Sequence, residues 1–458
     1  MKKSIWILFF ILNSSICFTQ NYKSTTIGTS QNDVGQEFIQ DTDSTFLIFG
    51  WHQAKGGFLI KINLVGDTIF SKYYPQLLFG KDIIKASENE YLLLSEYGDI
   101  IKINSNGNLI WQKKIPKSNT RKLLKIDNDH FVVAGGIQVF DHTEEVPDLG
   151  LDSIFLEHVL IKKYDFNGNS LKTDTIKIKS SYSFANDLLY KNDTLYVLGN
   201  SFLLKLNSEF QVVFDYVYVN EGIGKSFVIN EDNEFLVTGM KWTDNTEGGN
   251  LYLAKLNSNG KILWKKDLNY DLSDEGVKII KSKNNDYYVL GQTANSKNGE
   301  GQVRNLVLLR VNDSGTVKLN KLIDSNGNKM GYSILESENN GLFILGTTGY
   351  LTHGGTDILL INCDSTGFFN TEVTQLNIEE KELFVYPNPT TGYFRIKSNY
   401  KENSIKSFSL YNMMGLKLED YQFNNEGQEF YLNVDNGVYF IELIDRNNKI
   451  RVSKIIKK

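Results

Sequence analysis

The sequence predicts an all-β protein, a seven-bladed β-propeller followed by a small β-sandwich. Three observations predict the propeller: an apolar run recurs seven times, a second strand-like run follows each copy, and a glycine turn follows most of the second runs. Units of this kind repeated in series are typical of propeller blades, because each sheet buries both of its faces only by stacking on its neighbours.

The first element of the repeat is an apolar run that ends in Gly, or in Ser in one copy. Its copies span residues 46–50, 91–95, 131–135, 195–199, 235–239, 288–291 and 343–346. The second element lies at residues 60–63, 101–104, 161–165, 204–207, 254–257, 309–312 and 360–364. The turn glycines that follow are Gly66, Gly107, Gly168, Gly260, Gly315 and Gly367. A glycine supplies the positive φ that a tight turn between two strands requires.

Two further strands complete each unit. A third strand is predicted after the turn, as at residues 109–113, and a fourth at the start of the next unit, as at residues 82–86 and 276–280. The seventh unit ends near residues 366–369, and residues 22–29 resemble the strand that ends the other units. We therefore expect the N-terminal strand to complete the last blade and to remove its exposed edge. A stacked solenoid and an eight-bladed ring are the alternatives.

The C-terminal segment predicts a separate, Ig-like β-sandwich. Pro387 and Pro389 each fix φ and remove a backbone donor, so this stretch cannot lie inside a helix or a central strand. Residues 407–411 alternate polar and apolar side chains, and residues 437–444 form a β-branched and aromatic run. Both patterns predict strands.

The order of motifs in this segment closely resembles the type A C-terminal sorting domain of cargo proteins of the type IX secretion system of Bacteroidota. The residues that carry the resemblance are Pro387, Asn388, Pro389, Gly392, Gly415, Gly437 and Tyr439, together with the Lys-Ile-Ile-Lys-Lys tail. The resemblance implies that the type IX machinery exports the protein across the outer membrane and that the domain is then removed. The remainder is expected to be secreted or held on the outer cell surface.

The N-terminus agrees with export through the periplasm. Lys2 and Lys3 precede a short apolar stretch at residues 5–12, as in a secretory signal peptide, and a cut after Thr19 leaves no transmembrane segment in the mature chain. Cys17 raises the possibility of a lipoprotein, but a bulky Ile precedes it where a small residue is required. The predicted domains are a signal peptide at 1–19, a propeller at 20–370, a linker at 371–382 and a sorting domain at 383–458.

Composition excludes some classes of function. The formal net charge of -5 is mild and the chain has no basic patch, which disfavours nucleic acid as a partner. After loss of the signal peptide Cys363 is the one remaining cysteine, so no internal disulfide is expected. Because Cys363 lies in an apolar run, we interpret it as a buried hydrophobic residue and not as a nucleophile.

No catalytic motif is recognisable. None of the five histidines has zinc-ligand spacing, a Gly-x-Ser-x-Gly sequence is absent, and neither a metal nor a cofactor is expected. The long insertion at residues 136–158 is rich in carboxylates, but its spacing matches no calcium loop. We interpret it as a solvated acidic loop.

Candidate ligand-binding residues are aromatic. Trp51, Tyr97, Trp242 and Tyr350 each follow the end of the same strand in their units. Equivalent positions of a propeller lie on one face, so these rings are candidates to surround the channel mouth and to stack on sugars or on protein side chains. The alternative is that each ring packs against its own loop.

Two other tryptophans hold matching places in their units. Trp111 and Trp264 lie in the third strands of the second and fifth units. We interpret both as packing between blades.

These features predict an exported binding or interaction module without catalytic activity, whose ligand is an extracellular glycan or protein. The alternative is an exported propeller enzyme, either a carbohydrate-active hydrolase or lyase or a quinoprotein-like oxidoreductase. A third reading is a structural or adhesive surface protein. Converging carboxylates around a pocket would favour the enzyme, and a flat aromatic or neutral face would favour the binding module.

Overall fold

The computed structural model describes residues 24–458 apart from short gaps. The gaps are residues 43, 64–65, 147–149, 179–183, 218–221, 243–247, 295–302, 324–327, 338–340, 350–351, 353–354, 368–382, 399–404, 413–416, 423–427 and 446–449. The predicted signal peptide, Tyr350 and Gly415 therefore lie outside the described residues. The chain divides into two compact units, residues 1–371 and 372–458.

The described strands of the first unit form seven four-stranded antiparallel sheets, which we number in chain order. Strand β1 (Ser24–Ile27) belongs to the seventh sheet. Sheet 1 contains β2 (Asp33–Thr42), β3 (Thr45–His52), β4 (Gly56–Asn63) and β5 (Thr68–Tyr74). Sheet 2 contains β6 (Gly80–Ser87), β7 (Glu90–Ser95), β8 (Asp99–Asn104) and β9 (Leu109–Lys114). Sheet 3 contains β10 (Ser118–Lys125), β11 (His130–Val146), β12 (Gly150–Asp165) and β13 (Ser170–Ile176).

The remaining four sheets follow the same order. Sheet 4 contains β14 (Ala185–Lys191), β15 (Thr194–Gly199), β16 (Phe202–Leu206) and β17 (Val212–Val217). Sheet 5 contains β18 (Ile223–Ile229), β19 (Phe235–Trp242), β20 (Gly249–Leu256) and β21 (Ile262–Leu268). Sheet 6 contains β22 (Ser273–Lys281), β23 (Tyr287–Ala294), β24 (Arg304–Val311) and β25 (Val317–Ile323). Sheet 7 contains β26 (Lys329–Glu336), β27 (Leu342–Thr348) and β28 (Asp357–Cys363), with β1 as its outermost strand.

The first strands of the sheets surround a common centre. Each first strand contacts the first strand of the next sheet, and β26 of the seventh sheet contacts β2 of the first. The strands β2, β6, β10, β14, β18, β22 and β26 are therefore the inner strands of a closed ring. The all-β, propeller-like fold predicted from the sequence is confirmed.

The N-terminal strand completes the seventh sheet, as the sequence predicts. Strand β1 pairs with β28, from Ser24 opposite Ile361 to Ile27 opposite Ile358. The predicted place of the fourth strand needs a correction, because residues 82–86 lie in β6, which pairs with the apolar strand β7 that follows it. The inner strand thus begins its own sheet, since a short turn joins it directly to β7.

The predicted turn glycines have the required backbone conformation. All six have positive φ angles between 67° and 89°. Sheet 4 has no glycine at this position, and Phe210 adopts the conformation instead, with φ of 58°. The turn survives there because Asn207 Oδ1 accepts a hydrogen bond from the Gln211 amide at 2.9 Å, as an Asx turn does.

The two matched tryptophans lie between sheets. Trp111 donates from Nε1 to the carbonyl of Phe166 in the next sheet at 3.0 Å. Trp264 donates in the same way to the carbonyl of Asp313 at 3.1 Å. Each indole therefore joins the outer strand of one sheet to the turn of the next, which is the packing that the sequence predicts.

The insertion at residues 136–158 is not the solvated loop predicted from its acidic composition. Strands β11 and β12 continue through it as a long antiparallel hairpin, with Glu144 opposite Asp152 and Val146 opposite Gly150. Alternating β-branched and aromatic residues extend the two strands, and this pattern outweighs the acidic composition. Cys363 is buried, and burial raises the pKa of its thiol to about 12, which fits the predicted packing role.

The second unit is a β-sandwich. One sheet contains β29 (Leu383–Tyr386), β30 (Tyr393–Ser398) and β33 (Glu429–Tyr431), and the other contains β31 (Ile405–Asn412), β32 (Lys417–Gln422), β34 (Gly437–Asp445) and β35 (Ile450–Lys457). Phe394 and Phe430 of the first sheet share a core with Phe408 and Ile441 of the second. Burial of these side chains between two sheets is the main stabilising contribution in so small a unit.

Candidate functional site

All seven inner strands carry the same irregularity near their start. The pairing register shifts there by one residue, which is a β-bulge. In each strand the bulge falls on three residues, a small or short residue, a variable residue and a polar residue. The triplets are Gly35-Gln36-Glu37, Gly80-Lys81-Asp82, Thr120-Arg121-Lys122, Ala185-Asn186-Asp187, Gly224-Lys225-Ser226, Gly276-Val277-Lys278 and Gly331-Tyr332-Ser333.

At two of the triplet glycines an atom of the preceding sheet lies very close. A Cβ atom on Gly80 would lie 2.3 Å from the carbonyl oxygen of Gly50. One on Gly276 would lie 1.8 Å from Thr238 Oγ1. A side chain at either position would displace the preceding sheet, and a bulge re-aims the side chain that follows it.

A cavity of about 240 Å³ lies at this end of the ring. Its lining consists of the middle residues of all seven triplets and of Glu37, Lys122, Asp187 and Lys278 from the last positions. We call the middle residues the outer layer and the last residues the inner layer, since Asp82, Asp187, Ser226 and Ser333 of the last positions are all buried. Every sheet contributes to this site, which we call the channel mouth.

Glu37, Asp82 and Lys122 form one half of the inner layer. Lys122 Nζ lies 3.0 Å from Glu37 Oε2 and 3.7 Å from Asp82 Oδ1. Burial acts to raise the pKa of Glu37, but Lys122 and Lys278 outweigh it and hold that pKa below the usual value. For Asp82 burial dominates and raises its pKa to about 6. Burial acts to lower the pKa of Lys122, but Asp82 and Glu37 outweigh it and raise that pKa, so Lys122 stays charged.

The other half of the inner layer is also paired. Ser226 donates from Oγ to Asp187 Oδ2 at 2.7 Å, and Lys278 Nζ lies 3.5 Å from the same oxygen. Ser333 donates to the Glu37 carboxylate of the first half. All carboxylates of the inner layer therefore have a cationic partner, and two of them also accept a hydroxyl hydrogen bond.

The outer layer is paired less completely. Lys81 Nζ lies 3.0 Å from Glu96 Oε2, and Lys225 Nζ lies 3.4 Å from Glu275 Oε2. Arg121 instead donates to Asn186 Oδ1 at 2.7 Å. Burial lowers the pKa of this guanidinium, although an arginine remains charged.

Three of the four predicted aromatic residues lie at the same end of the ring as the channel mouth. Trp51 pairs with Val34 at the start of β2, and Trp242 ends β19 beside the start of β18. Tyr97 follows the end of β7 and is 48% exposed, while Trp242 is 60% exposed. Tyr350 lies outside the described residues.

Two of these rings meet through a third that the sequence did not single out. The Phe79 ring lies 5.0 Å from that of Trp51 and 5.8 Å from that of Tyr97, both in edge-on geometry. We call Trp51, Phe79 and Tyr97 the aromatic rim. No aromatic contact joins Trp242 to the rim among the described residues.

The polar residues of the channel mouth were not predicted from the sequence. The signal that identifies them is the small-variable-polar triplet, which recurs near the start of every inner strand. Its middle residue differs in chemistry from blade to blade, which hides the repeat from a search for apolar runs. In the part of the chain that the structure describes, no group of three or more His, Cys, Asp or Glu side chains is placed to hold a metal ion.

In the second unit, the Pro-Asn-Pro segment is bound to the C-terminal strand β35. Asn388 donates from Nδ2 to the Lys454 carbonyl at 2.6 Å and accepts at Oδ1 from the Ile456 amide at 2.9 Å. Gly392 has φ of +133°, a conformation that favours glycine. Tyr439 donates from its hydroxyl to the Asp435 carbonyl at 2.8 Å. Motif residues more than sixty positions apart in the sequence thus meet in one place.

The fold and the site define a propeller-like protein that carries a separate C-terminal sandwich. Residues 384–458 match the family described as "Secretion system C-terminal sorting domain". This confirms the predicted resemblance: the C-terminal unit is a type IX sorting domain. It implies interaction with the type IX secretion machinery and export to the secreted or cell-surface compartment. No helix long and apolar enough to cross a membrane occurs among the described residues.

Solved structures with a similar fold include several propeller-like proteins. One is BamB from Moraxella catarrhalis, with 14% identity, 72% of this chain and 86% of that chain covered, and a TM-score of 0.43. The Pan2 WD40 domain of Neurospora crassa has 10% identity, with 74% of this chain and 91% of that chain covered and a TM-score of 0.47. Streptogramin B lyase has 10% identity, with 75% of this chain and 98% of that chain covered and a TM-score of 0.47. Likenesses this distant carry no information about ligand or activity. No curated protein matches the chain in sequence.

Proposed function

We propose that the exported propeller is a non-catalytic binding module whose extracellular ligand occupies the channel mouth. The observation that carries the proposal is the cavity to which all seven inner strands contribute one bulged side chain. A concave site with a few convergent polar groups is the usual form of a small-ligand site. Because seven separate strands supply the groups, their positions are held by the whole ring.

The ion pairs favour binding over acid-base chemistry. Glu37 is held by Lys122 and Ser333, and Asp187 is held by Lys278 and Ser226. Lys122 and Lys278 hold the pKa of Glu37 below its usual value, whereas a general acid requires a pKa near the working pH. These two carboxylates act in the proposal as counter-ions that fix the lysines.

The aromatic rim supplies apolar contact area beside the cavity. Phe79 is 39% exposed and Tyr97 is 48% exposed. Exposed rings next to a polar pocket are frequent anchors of binding sites, because they bury a large area with little loss of conformational entropy. Trp242 is proposed to contribute from the opposite part of the ring.

An exported enzyme remains a second candidate because of one residue. The pKa of Asp82 is raised to about 6, and Asp82 shares Lys122 with Glu37. Two carboxylates whose pKa values are displaced in opposite directions are a known arrangement for acid and base. An Asp82→Asn variant that keeps ligand binding but loses turnover of that ligand would favour the enzyme. Retained binding without turnover in either form would favour the binding module.

The proposal is tested by binding of the full-length protein to an array of extracellular glycans and proteins. Tyr97→Ala and Trp242→Ala variants are compared with Tyr393→Ala, which removes a ring of the C-terminal unit that is 57% exposed. Specific binding that weakens in the first two variants and persists in the third is the expected result. Binding that none of the variants changes would refute the proposed face, and no binding to any probe would refute the function.

We also propose that export uses a signal peptide at residues 1–19, passage through the periplasm and removal of residues 383–458. Deletion of residues 383–458 is expected to leave the propeller in the periplasm, unable to cross the outer membrane. Immunoblots of periplasm, cell surface and medium measure this, with a variant tagged at Lys114, on an outer strand of the propeller, as the control. Normal secretion of the deleted form would exclude the sorting role.

A further inference from the structure

Arg121 differs from the other cations that line the channel mouth. Lys81, Lys122, Lys225 and Lys278 each have a carboxylate oxygen within 4.0 Å, whereas Arg121 has none among the described residues. Its surroundings contain Glu96 and Glu157, which act on it only through longer-range charge interaction. A cation that lines a cavity without an ion-pair partner is a candidate anchor for an anionic group.

The Arg121 guanidinium is held in one orientation. Its Nη1 donates to Asn186 Oδ1 at 2.7 Å, and its Cζ lies 3.9 Å from the centre of the Phe184 ring. Asn186 is fixed in turn, because its Nδ2 donates to Asn200 Oδ1 and to the Gly224 carbonyl, both at 2.7 Å. A guanidinium has five N–H groups, and the one hydrogen bond to Asn186 is its only one to the described residues. The other N–H groups make no hydrogen bond to the described residues, and in the proposal below they donate to the ligand.

The pairing of charges in the cavity also distinguishes Arg121. Five cationic side chains line the cavity against two carboxylates, Glu37 and Asp187. Both carboxylates already face lysines, so they do not compensate Arg121. Glu96 and Glu275 pair in the same way with Lys81 and Lys225, so among the described residues Arg121 is the cation of the lining that has no carboxylate oxygen within 4.0 Å.

The aromatic rim adjoins this corner of the cavity. The Glu96 amide donates to the Phe79 carbonyl at 2.9 Å, and the Thr120 amide donates to the Glu96 carbonyl at 2.7 Å. The segment that carries Tyr97 is therefore bonded on one side to the segment of Phe79 and on the other to the residue before Arg121. An exposed ring suits the C–H face of a sugar, and a fixed guanidinium suits a carboxylate.

We propose that the channel mouth binds a saccharide that carries a uronic acid, with Arg121 donating two hydrogen bonds to its carboxylate and the aromatic rim stacking on a sugar ring. This inference rests on the proposed binding function and specifies its ligand class. Lys81 and Lys225 already pair with glutamates and offer no comparable fork. Arg121 thus determines the preference for the acid.

The test uses isothermal titration of the full-length protein with trigalacturonic acid, with its methyl ester and with a trimer of aspartic acid as an acidic peptide. We expect the free acid to bind and the ester, which lacks the anionic oxygens, to bind at least about tenfold more weakly. Arg121→Gln should weaken binding of the acid by about 10- to 100-fold. Arg121→Lys keeps the charge but loses the fork, so we expect an intermediate affinity. Arg395→Gln, in the C-terminal unit, is the matched control.

Each contrary outcome overturns a defined part of the proposal. Equal affinity for acid and ester, or unchanged binding in Arg121→Gln, would refute carboxylate recognition. Binding of the acidic peptide but not of the saccharide would refute the saccharide. If neither acid binds while another array ligand binds in a Tyr97-dependent manner, the inference fails and the proposed binding function stands. Thermal unfolding of each variant shows whether a loss of binding reflects a loss of fold.

Discussion

The inner and outer layers of the channel mouth are built from adjacent residues of the same seven strands, yet their charges are arranged differently. In the inner layer, Lys122 bridges two carboxylates and Ser333 joins one of them. In the outer layer, Arg121 has an amide and an aromatic ring as partners but no carboxylate within 4.0 Å among the described residues. The bulge separates a layer of mutually satisfied charges from one that retains an unpaired donor.

The difference separates two functions for buried charge. Removing one member of a buried ion pair leaves its partner uncompensated, so paired charges in the inner layer fix the arrangement of the strands around the centre. An incompletely paired cation contributes little to the folded chain and is more useful to a ligand. The layers therefore predict opposite results for substitutions at neighbouring positions.

The largest effect is expected for Lys122→Met. The substitution keeps the apolar stem but leaves the buried carboxylates Glu37 and Asp82 without a shared cation, which should reduce the free energy of unfolding by about 3–5 kcal/mol. Urea denaturation measures this, with Lys114→Met as the control. Lys114 pairs with Asp99 at 2.6 Å but is about half exposed, so its loss should cost less than about 1 kcal/mol. Equal effects of the two substitutions would contradict a special role for the inner layer.

A smaller effect is expected for Gly80→Ala, which tests whether the close approach sets the bulge. The new methyl would meet the Gly50 carbonyl oxygen and the Phe49 ring at 2.3 and 2.7 Å, so the strands must separate. We expect a loss of about 2 kcal/mol. Gly349→Ala is the control, because the nearest atom to its Cβ lies 3.7 Å away. A stable Gly80→Ala variant with unchanged ligand affinity would show that the bulge does not depend on this contact.

The pH dependence of stability isolates Asp82. Burial raises its pKa from the ordinary aspartate value of about 3.9 to about 6 in the folded chain. Between these two values the folded state holds a proton that the unfolded state has lost, so the free energy of unfolding should fall as pH rises from about 4 to 6, by at most about 1.4 kcal/mol per pH unit. Asp82→Asn removes this slope. Parallel stability curves for the two proteins between pH 4 and 6 would show that Asp82 titrates normally.

The blades could be predicted from the sequence because they depend on short-range patterns. Apolar runs, Asn-Gly turns and matched tryptophans each act within one unit or between successive units. The closing strand was predictable for the same reason, since residues 24–27 repeat the pattern of an outer strand. The hairpin at residues 136–158 was missed because its acidic composition outweighed its alternating pattern in the interpretation.

The site was only partly predictable. Trp51, Tyr97 and Trp242 come shortly after the apolar run of their units. The repeat alone therefore predicts that they lie at the same end of the ring. Phe79 and Arg121 belong to the site because of contacts with residues far away in the sequence. No local sequence pattern could predict that Arg121 has no carboxylate within 4.0 Å among the described residues. The pairing of charges depends on which side chains of different blades meet at the centre of the ring. The sequence pattern does not predict those contacts.

The smallest effect on stability is expected for Arg121→Gln, and it decides between the two layers. The guanidinium makes one hydrogen bond to Asn186 and stacks on Phe184, while burial of its unpaired charge opposes folding. These contributions nearly cancel, so the free energy of unfolding should change by less than about 1 kcal/mol. A loss similar to that of Lys122→Met would mean that both layers are structural. An unchanged or higher stability combined with weaker ligand binding would mean that Arg121 serves the ligand, as expected of a site residue whose function is in conflict with stability.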